Sequence, residues 1–492
     1  NIIITADKGT GIVTKNMVLG GTVTNSGSIK NLSSQVGTIG IYSVINPLFT
    51  PTSVGTGTVT NSGTIELGED SRGIYANNVK ISNTGSIKVG DSRNDTAVGI
   101  YADKYSEISN SSNMQVGNNG IGYYLDNSKL SITGGNFDIS NLGILVYGLN
   151  SSAIDYLSST GTSSSSASSL SLAKPVFYLD NSTLNFGTAN PLFTINNNSI
   201  GVHANNSSII GSSSYELGQN SVGIYSNNPT TTVKNDVAST ITSIAGSSPN
   251  AKGIVVKNGN VENAGLIALT GDKAVGVYLE GNGSNTVINT GKVIMNGDEA
   301  IGIYSTGVSS LINNGGEVKV GNSSSLSTPS IGIYTDAASI TSTNGKIESG
   351  NNSLGIYSTN PSANISIVGN QFKVGENGIG IYTNGGQLTL DNTSSFDIAN
   401  NSALGVYSKN ATTLSSANMN IGANSFGYLL ETGTLTTNGT GTLENGSVYI
   451  YSTQGGSITN TGNLTSINPN GEQTVGIYTT NGETVVNTGN ID

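Results

Sequence analysis

Residues 81–108 decide the fold: Ile81-Ser82-Asn83-Thr84-Gly85-Ser86-Ile87-Lys88-Val89-Gly90-Asp91, then, after a polar stretch, Val98-Gly99-Ile100-Tyr101-Ala102-Asp103-Lys104, then Glu107-Ile108. Ile87 and Val89 alternate with Ser86 and Lys88, and Val98, Ile100 and Ala102 alternate with Gly99 and Tyr101. A third run begins at Ile108 and ends near Asn110. A period of two is that of strands, whose side chains point in turn to opposite faces. Three such runs predict three short strands per unit. Gly90-Asp91, Asp103-Lys104 and Asn83-Thr84-Gly85 turn the chain between them, because Gly and Asn tolerate left-handed backbone. Val98, Ile100 and Ala102 are expected inside, with Tyr101 outside.

The unit recurs along the whole chain. Ile39-Gly40-Ile41-Tyr42, Val222-Gly223-Ile224-Tyr225, Ile301-Gly302-Ile303-Tyr304, Ile331-Gly332-Ile333-Tyr334, Ile379-Gly380-Ile381-Tyr382 and Val475-Gly476-Ile477-Tyr478 are clear copies. Weaker ones put Val13, Leu145, His203, Val255 and Leu429 at the fourth position. A second motif runs out of phase, as in Asn61-Ser62-Gly63-Thr64-Ile65 and Asn289-Thr290-Gly291-Lys292-Val293, and Asn83, Asn313, Asn460 and Asn487 are read at the same corner. From Val13 to Tyr478 the copies give a mean period of about 26 residues, within the range of solenoids. One such coil cannot bury its apolar face alone, so coils must stack in parallel. The expectation is an all-β, right-handed parallel β-helix (β-solenoid) of about 19 coils of three short strands, continuous over 1–492.

Composition narrows the function classes. Only 10% of residues are charged, and 67 are Gly, a density unsuited to helix interiors. A disordered chain of similar polarity would lack the apolar period. Asp and Glu number 30 against 19 Lys and Arg, and no basic patch offers a site for nucleic acid. No apolar run approaches the roughly 20 residues of a membrane-spanning helix. The absence of Cys removes disulfides, thiolate metal sites and a Cys nucleophile. The sequence opens and stops inside a repeat, without a leader, and is read as a piece of a longer chain.

Insertions in solenoids map to loops that often bind. They are expected near 43–57, 149–176 and 187–198. Asn46-Pro47-Leu48-Phe49-Thr50 and Asn190-Pro191-Leu192-Phe193-Thr194 are nearly the same, which makes Phe49 and Phe193 candidate ligand contacts or apolar plugs. The run Ser158 to Ser171 is expected to be a flexible excursion. An outward tyrosine stripe follows from the repeat, with Tyr at the fourth position of fourteen of nineteen coils. Tyr101, Tyr304, Tyr334 and Tyr382 are its candidate contacts, since ring faces suit sugars and protein surfaces alike. The competing reading is that stacked rings only bind coil to coil.

Acidic residues gather in the turn before the signature strand: Glu69, Asp70, Asp91, Asp95, Asp272, Asp298, Glu299, Glu376 and Glu472. A column of carboxylates suits Ca²⁺, yet the Ca-binding nonapeptide is absent and solvated turns are the expectation. His203, the single histidine, stands where the repeat calls for Tyr, and no Ser-His-Asp set forms around it. Paired carboxylates such as Asp91/Asp95 or Asp298/Glu299 are the main route to an enzyme, but their recurrence with the repeat favours architecture. No catalytic residue, metal or cofactor is predicted, and the chain is read as no enzyme.

Taken together, the Gly-Ile-Tyr and Asn-Thr-Gly-x-Ile motifs over the whole chain resemble the passenger domain of type V autotransporter adhesins, the large fusobacterial outer-membrane ones in particular. The resemblance implies a β-helix displayed on the bacterial cell surface and anchored by a C-terminal outer-membrane β-barrel outside this sequence. It also implies attachment to a host-cell glycan or protein receptor, or to partner bacteria. A β-helical polysaccharide-degrading enzyme and a structural spacer are the alternatives.

Overall fold

The computed structural model describes residues 1–15, 20–31, 35–45, 53–93, 96–164, 174–281, 283–307, 310–336, 338–467 and 473–492. The chain is an all-β parallel solenoid of about 18 turns with a period of about 25 residues and no helix among the described residues. It divides into two compact units, the first built mainly from residues 1–234 and the second mainly from residues 257–492.

Most coils carry three strands, and in Leu404–Ser415 and Phe426–Thr437 two of the three run together as one. In the unit read from sequence they are Ile87–Val89, Val98–Asp103 and Glu107–Asn110. Every one pairs in parallel with its counterpart in the next coil: Ile87 with Met114, Val98 with Ile121, Ile108 with Leu130. Stacking gives each coil partners for the backbone groups that one coil alone leaves open. The core lies inside the three faces and is filled by Ile81, Ile87, Val89, Ile100 and Ala102, all at most 3% exposed.

The first signature position differs from expectation. Val98, Ile121 and Ile144 form a separate buried cluster with Tyr101, Tyr124, Tyr147 and Tyr178 packed against it, so Val98 lies under the tyrosines and apart from Ile100. The residue between them faces the core, as Gly99 does against Met114 and as the buried Leu145 does in another coil, which breaks the alternation. A Cβ on Gly99 would stand 2.6 Å from the Gly122 carbonyl oxygen of the next coil and equally close to the Met114 sulfur. Glycine avoids that clash in most coils, and Leu145, Val176 and Tyr449 take the same position in others.

The Asn-Gly corner is a hydrogen-bonded ladder. In the first unit the Asn25 amide donates to Asn61 (2.7 Å), Asn61 to Asn83 (2.7 Å) and Asn83 to Asn110 (2.6 Å). In the second, Asn235, Asn263, Asn289 and Asn314 repeat the arrangement at 2.7 Å per step. The rung residue is Asn314; Asn313, chosen from sequence, faces outward because it is the odd member of Leu311–Asn314. Beyond Asn110 the ladder yields to Ile132 and Tyr156 in the same register. The core there is aromatic, with Tyr156, Phe177, Phe186 and Phe193 at 5.4–6.1 Å between centroids.

Two expectations change in that region. Phe193 is fully buried, an inward residue of the third-face strand Leu192–Ile195, and so is no ligand contact. Ser158 is 4% exposed, the Tyr156 hydroxyl donates to the Thr160 carbonyl, and Thr162 donates to Phe137. Ser163 then pairs in parallel with Thr194. The start of the serine run therefore fills the third face and is no excursion; its remainder from 165 on, like Phe49, Asp95 and Glu472, lies outside the described residues.

Candidate functional site

The signature face carries the residues with most chemical character. In the first unit Tyr42, Tyr75, Tyr101, Tyr124, Tyr147, Tyr178, His203 and Tyr225 form one stack, with centroids 4.5–5.4 Å apart and planes within 15°. Tyr147 is the ladder residue of its coil, paired with Tyr124, where sequence reading had put Leu145. In the second unit Tyr278, Tyr304, Tyr334, Tyr357 and Tyr382 stack at 4.8–5.5 Å. Tyr407 tilts out of line, its hydroxyl donating to Glu431, which also accepts from Lys409.

This geometry decides what the stripe can offer. Within the stacks each ring face is covered by a neighbour, so Tyr101, Tyr304 and Tyr334 present edges and hydroxyls and no free face for a sugar, whereas Tyr382 stacks on Tyr357 alone and meets Tyr407 at 80°. Stacked pairs of this kind add roughly 0.5–1.5 kcal/mol each beyond burial. Burial also raises the phenols: Tyr75 and Tyr304 are pushed up to about 12, Tyr75 with help from Asp103.

Beside the tyrosines, at the last position of the strand, Asp103 pairs in register with Asp126. Burial raises the Asp103 carboxyl to about 6 against the opposing pull of Lys104 and Asn77, and the Asp126 charge adds to the rise. Its Oδ1 is buried with no hydrogen-bond partner, whereas Asp126 accepts from the Asn150 amide (2.8 Å). Neither carboxylate was singled out from sequence, because Asp103 read as a turn residue. The hint was the acid recurring at 103, 126 and 180 after the tyrosine.

The acidic turn links one coil to the next. Asp70 accepts the backbone N–H of Arg93 (2.8 Å), Asp91 that of Asn118 (2.8 Å), Asp272 that of Asp298 (3.0 Å) and Asp298 that of Ser324 (2.9 Å). Each carboxylate thus ties its coil to the next, and Asn197 does the same for Gln219 (2.8 Å). Among the described residues no group of three His, Asp or Glu could hold a metal ion. His203 sits between Tyr178 and Tyr225 with Nδ1 buried and unpaired; burial lowers its pKa, and Asp180 opposes the shift. The outer third face alternates in sign, Lys30–Glu66–Lys88 in one unit and Lys292–Glu317–Lys346 in the other, which neutralises it locally.

No family model, curated protein or solved structure matches this chain. The fold rests on the coil geometry, and the function on the chemistry of the exposed surfaces.

Proposed function

We propose that this chain is a surface-exposed adhesive segment, the passenger of an autotransporter-type adhesin, which attaches a bacterium to host cells or to other bacteria. The observation that carries this reading is the use of the repeated polar residues. Acids, asparagines, tyrosines and the histidine each bind coil to coil, which leaves a stable scaffold whose distinctive surfaces lie where the repeat is interrupted. Such a scaffold suits display of contacts away from a membrane, with specificity in the irregular segments. The test is flow cytometry of animal and bacterial cells incubated with the fluorescently labelled chain. Saturable labelling of at least one cell type is expected, and labelling no greater than that of an unrelated protein would overturn the reading.

A second reading draws on one specific observation, the raised carboxyl of Asp103 beside Asp126. Neighbouring coils lie about 4.8 Å apart, close to the separation of carboxyls in retaining glycosidases, and a carboxyl titrating near 6 suits a general acid. Release of reducing ends from polysaccharides that vanishes in Asp103→Asn would favour this enzyme over the adhesin.

A further inference from the structure

The turn that follows the signature strand usually holds one residue in the left-handed region, and that residue is Asn: Asn78, Asn127, Asn181, Asn206. After Asp103 it holds two, Lys104 (φ 50°) and Tyr105 (φ 66°), as it does after Leu149 with Asn150 (φ 51°) and Ser151 (φ 68°), but only the first pair includes an aromatic residue. A bulky aromatic residue adopts this conformation only against steric resistance, and such positions gather at binding sites. Among the described residues Tyr105 belongs to no ring stack, and it is 37% exposed, unlike the ladder tyrosines whose faces are covered.

The first interruption of the repeat comes back to this corner. Asn78, 3% exposed, donates through one amide to both the Ser53 carbonyl (2.8 Å) and the Lys104 carbonyl (2.8 Å). It thereby clamps residues 53–54 against the strained turn. Between them lies a groove of about 430 Å³, walled by Ser53 and Val54, flanked by Tyr105, and floored by Asn127, Glu107 and Lys129. Ligand pockets commonly have this volume. Glu107 is paired with Lys129 at 3.7 Å and with Lys80 at 3.9 Å, so the floor provides donors and acceptors already engaged with one another.

We infer that this groove binds a neutral saccharide. An apolar wall at Val54 and an available aromatic ring suit the C–H face of a sugar, and the hydroxyl, amide and paired charged groups suit its hydroxyl groups. A charged ligand would compete with the Lys80–Glu107–Lys129 ion pairs. The inference names the ligand class for the adhesive reading and rests on it.

The test is a printed array of neutral and acidic oligosaccharides probed with the full chain, with Tyr105→Asn, with Val54→Asp and with the outward control Asn313→Ala. Asn accepts the left-handed turn easily, so Tyr105→Asn should melt no lower than the parent while losing about tenfold in array binding. Val54→Asp should lose binding as well, and Asn313→Ala should keep it. Retained binding in Tyr105→Asn, or binding confined to acidic glycans, would overturn the inference while leaving adhesion intact. Cell labelling with no array signal would also reject the saccharide alone, and failure of both would reject adhesion with it.

Discussion

Asn263 donates to Asn289 and accepts from Asn235 inside the solenoid, with no part of it exposed. Asn263→Ala leaves both neighbours with unmet groups, and a loss of about 2–3 kcal/mol is expected from the cost of unpaired buried amides. Asn313→Ala, on the outward side, should stay within about 0.5 kcal/mol. Urea denaturation of the two variants checks the pair, and equal losses would refute the ladder. Asp103 gives a pH-dependent counterpart. Its folded pKa of about 6 is above the ordinary 3.8, so the folded state holds the proton more tightly than the unfolded state. The resulting stability is present below about pH 3.8 and disappears as pH rises through 6. Asp103→Asn should therefore raise the melting temperature at pH 7 and flatten its profile between pH 4 and 6, which thermal scans across that range would check. The ladder asparagines were legible in the sequence because Asn-x-Gly recurs at a fixed phase. Asn313 was mistaken for Asn314 because two adjacent asparagines fit one corner and only the side-chain direction separates them.

At the level of strands, the period of two identified inward Ile100 and outward Tyr101 but misplaced Val98. Alternation assumes a regular strand, and the close approach at Gly99 breaks it. The same geometry alters the expected cost of losing Tyr101. An outward residue read from sequence alone would be nearly neutral. The ring instead stacks on Tyr75 at 4.8 Å and Tyr124 at 4.7 Å and covers the Val98 cluster. Tyr101→Ser should cost about 2 kcal/mol, with two stacked pairs lost. Ile100→Asp should cost far more, because it buries an unpaired charge and unfolds the adjoining coils. Circular dichroism melts would separate the two, and a neutral Tyr101→Ser would show that the stack contributes little. Loop insertions were the least legible elements. Phe193 and the start of the serine run resemble loop sequence, yet their backbone supplies a rung of the third face, a pairing decided by residues in neighbouring coils.

For the molecule as a whole, repetition explains why the sequence revealed the architecture so readily and the candidate site so poorly. Residues that recur announce themselves, and here they serve the contacts between coils. The groove depends on an aromatic residue in a left-handed turn position, Tyr105 where another coil has Ser151 and several have a single Asn, and on a return of residues 53–54 that no periodicity encodes. The central claim is that the repeat is scaffold and its interruption is the contact surface. The most direct measurement is the adhesion under flow of beads coated with the parent chain, with the ladder variant His203→Tyr, or with Tyr105→Asn. The account predicts equal attachment for the parent and His203→Tyr and a marked loss for Tyr105→Asn. Equal attachment by all three, or loss in His203→Tyr alone, would contradict it.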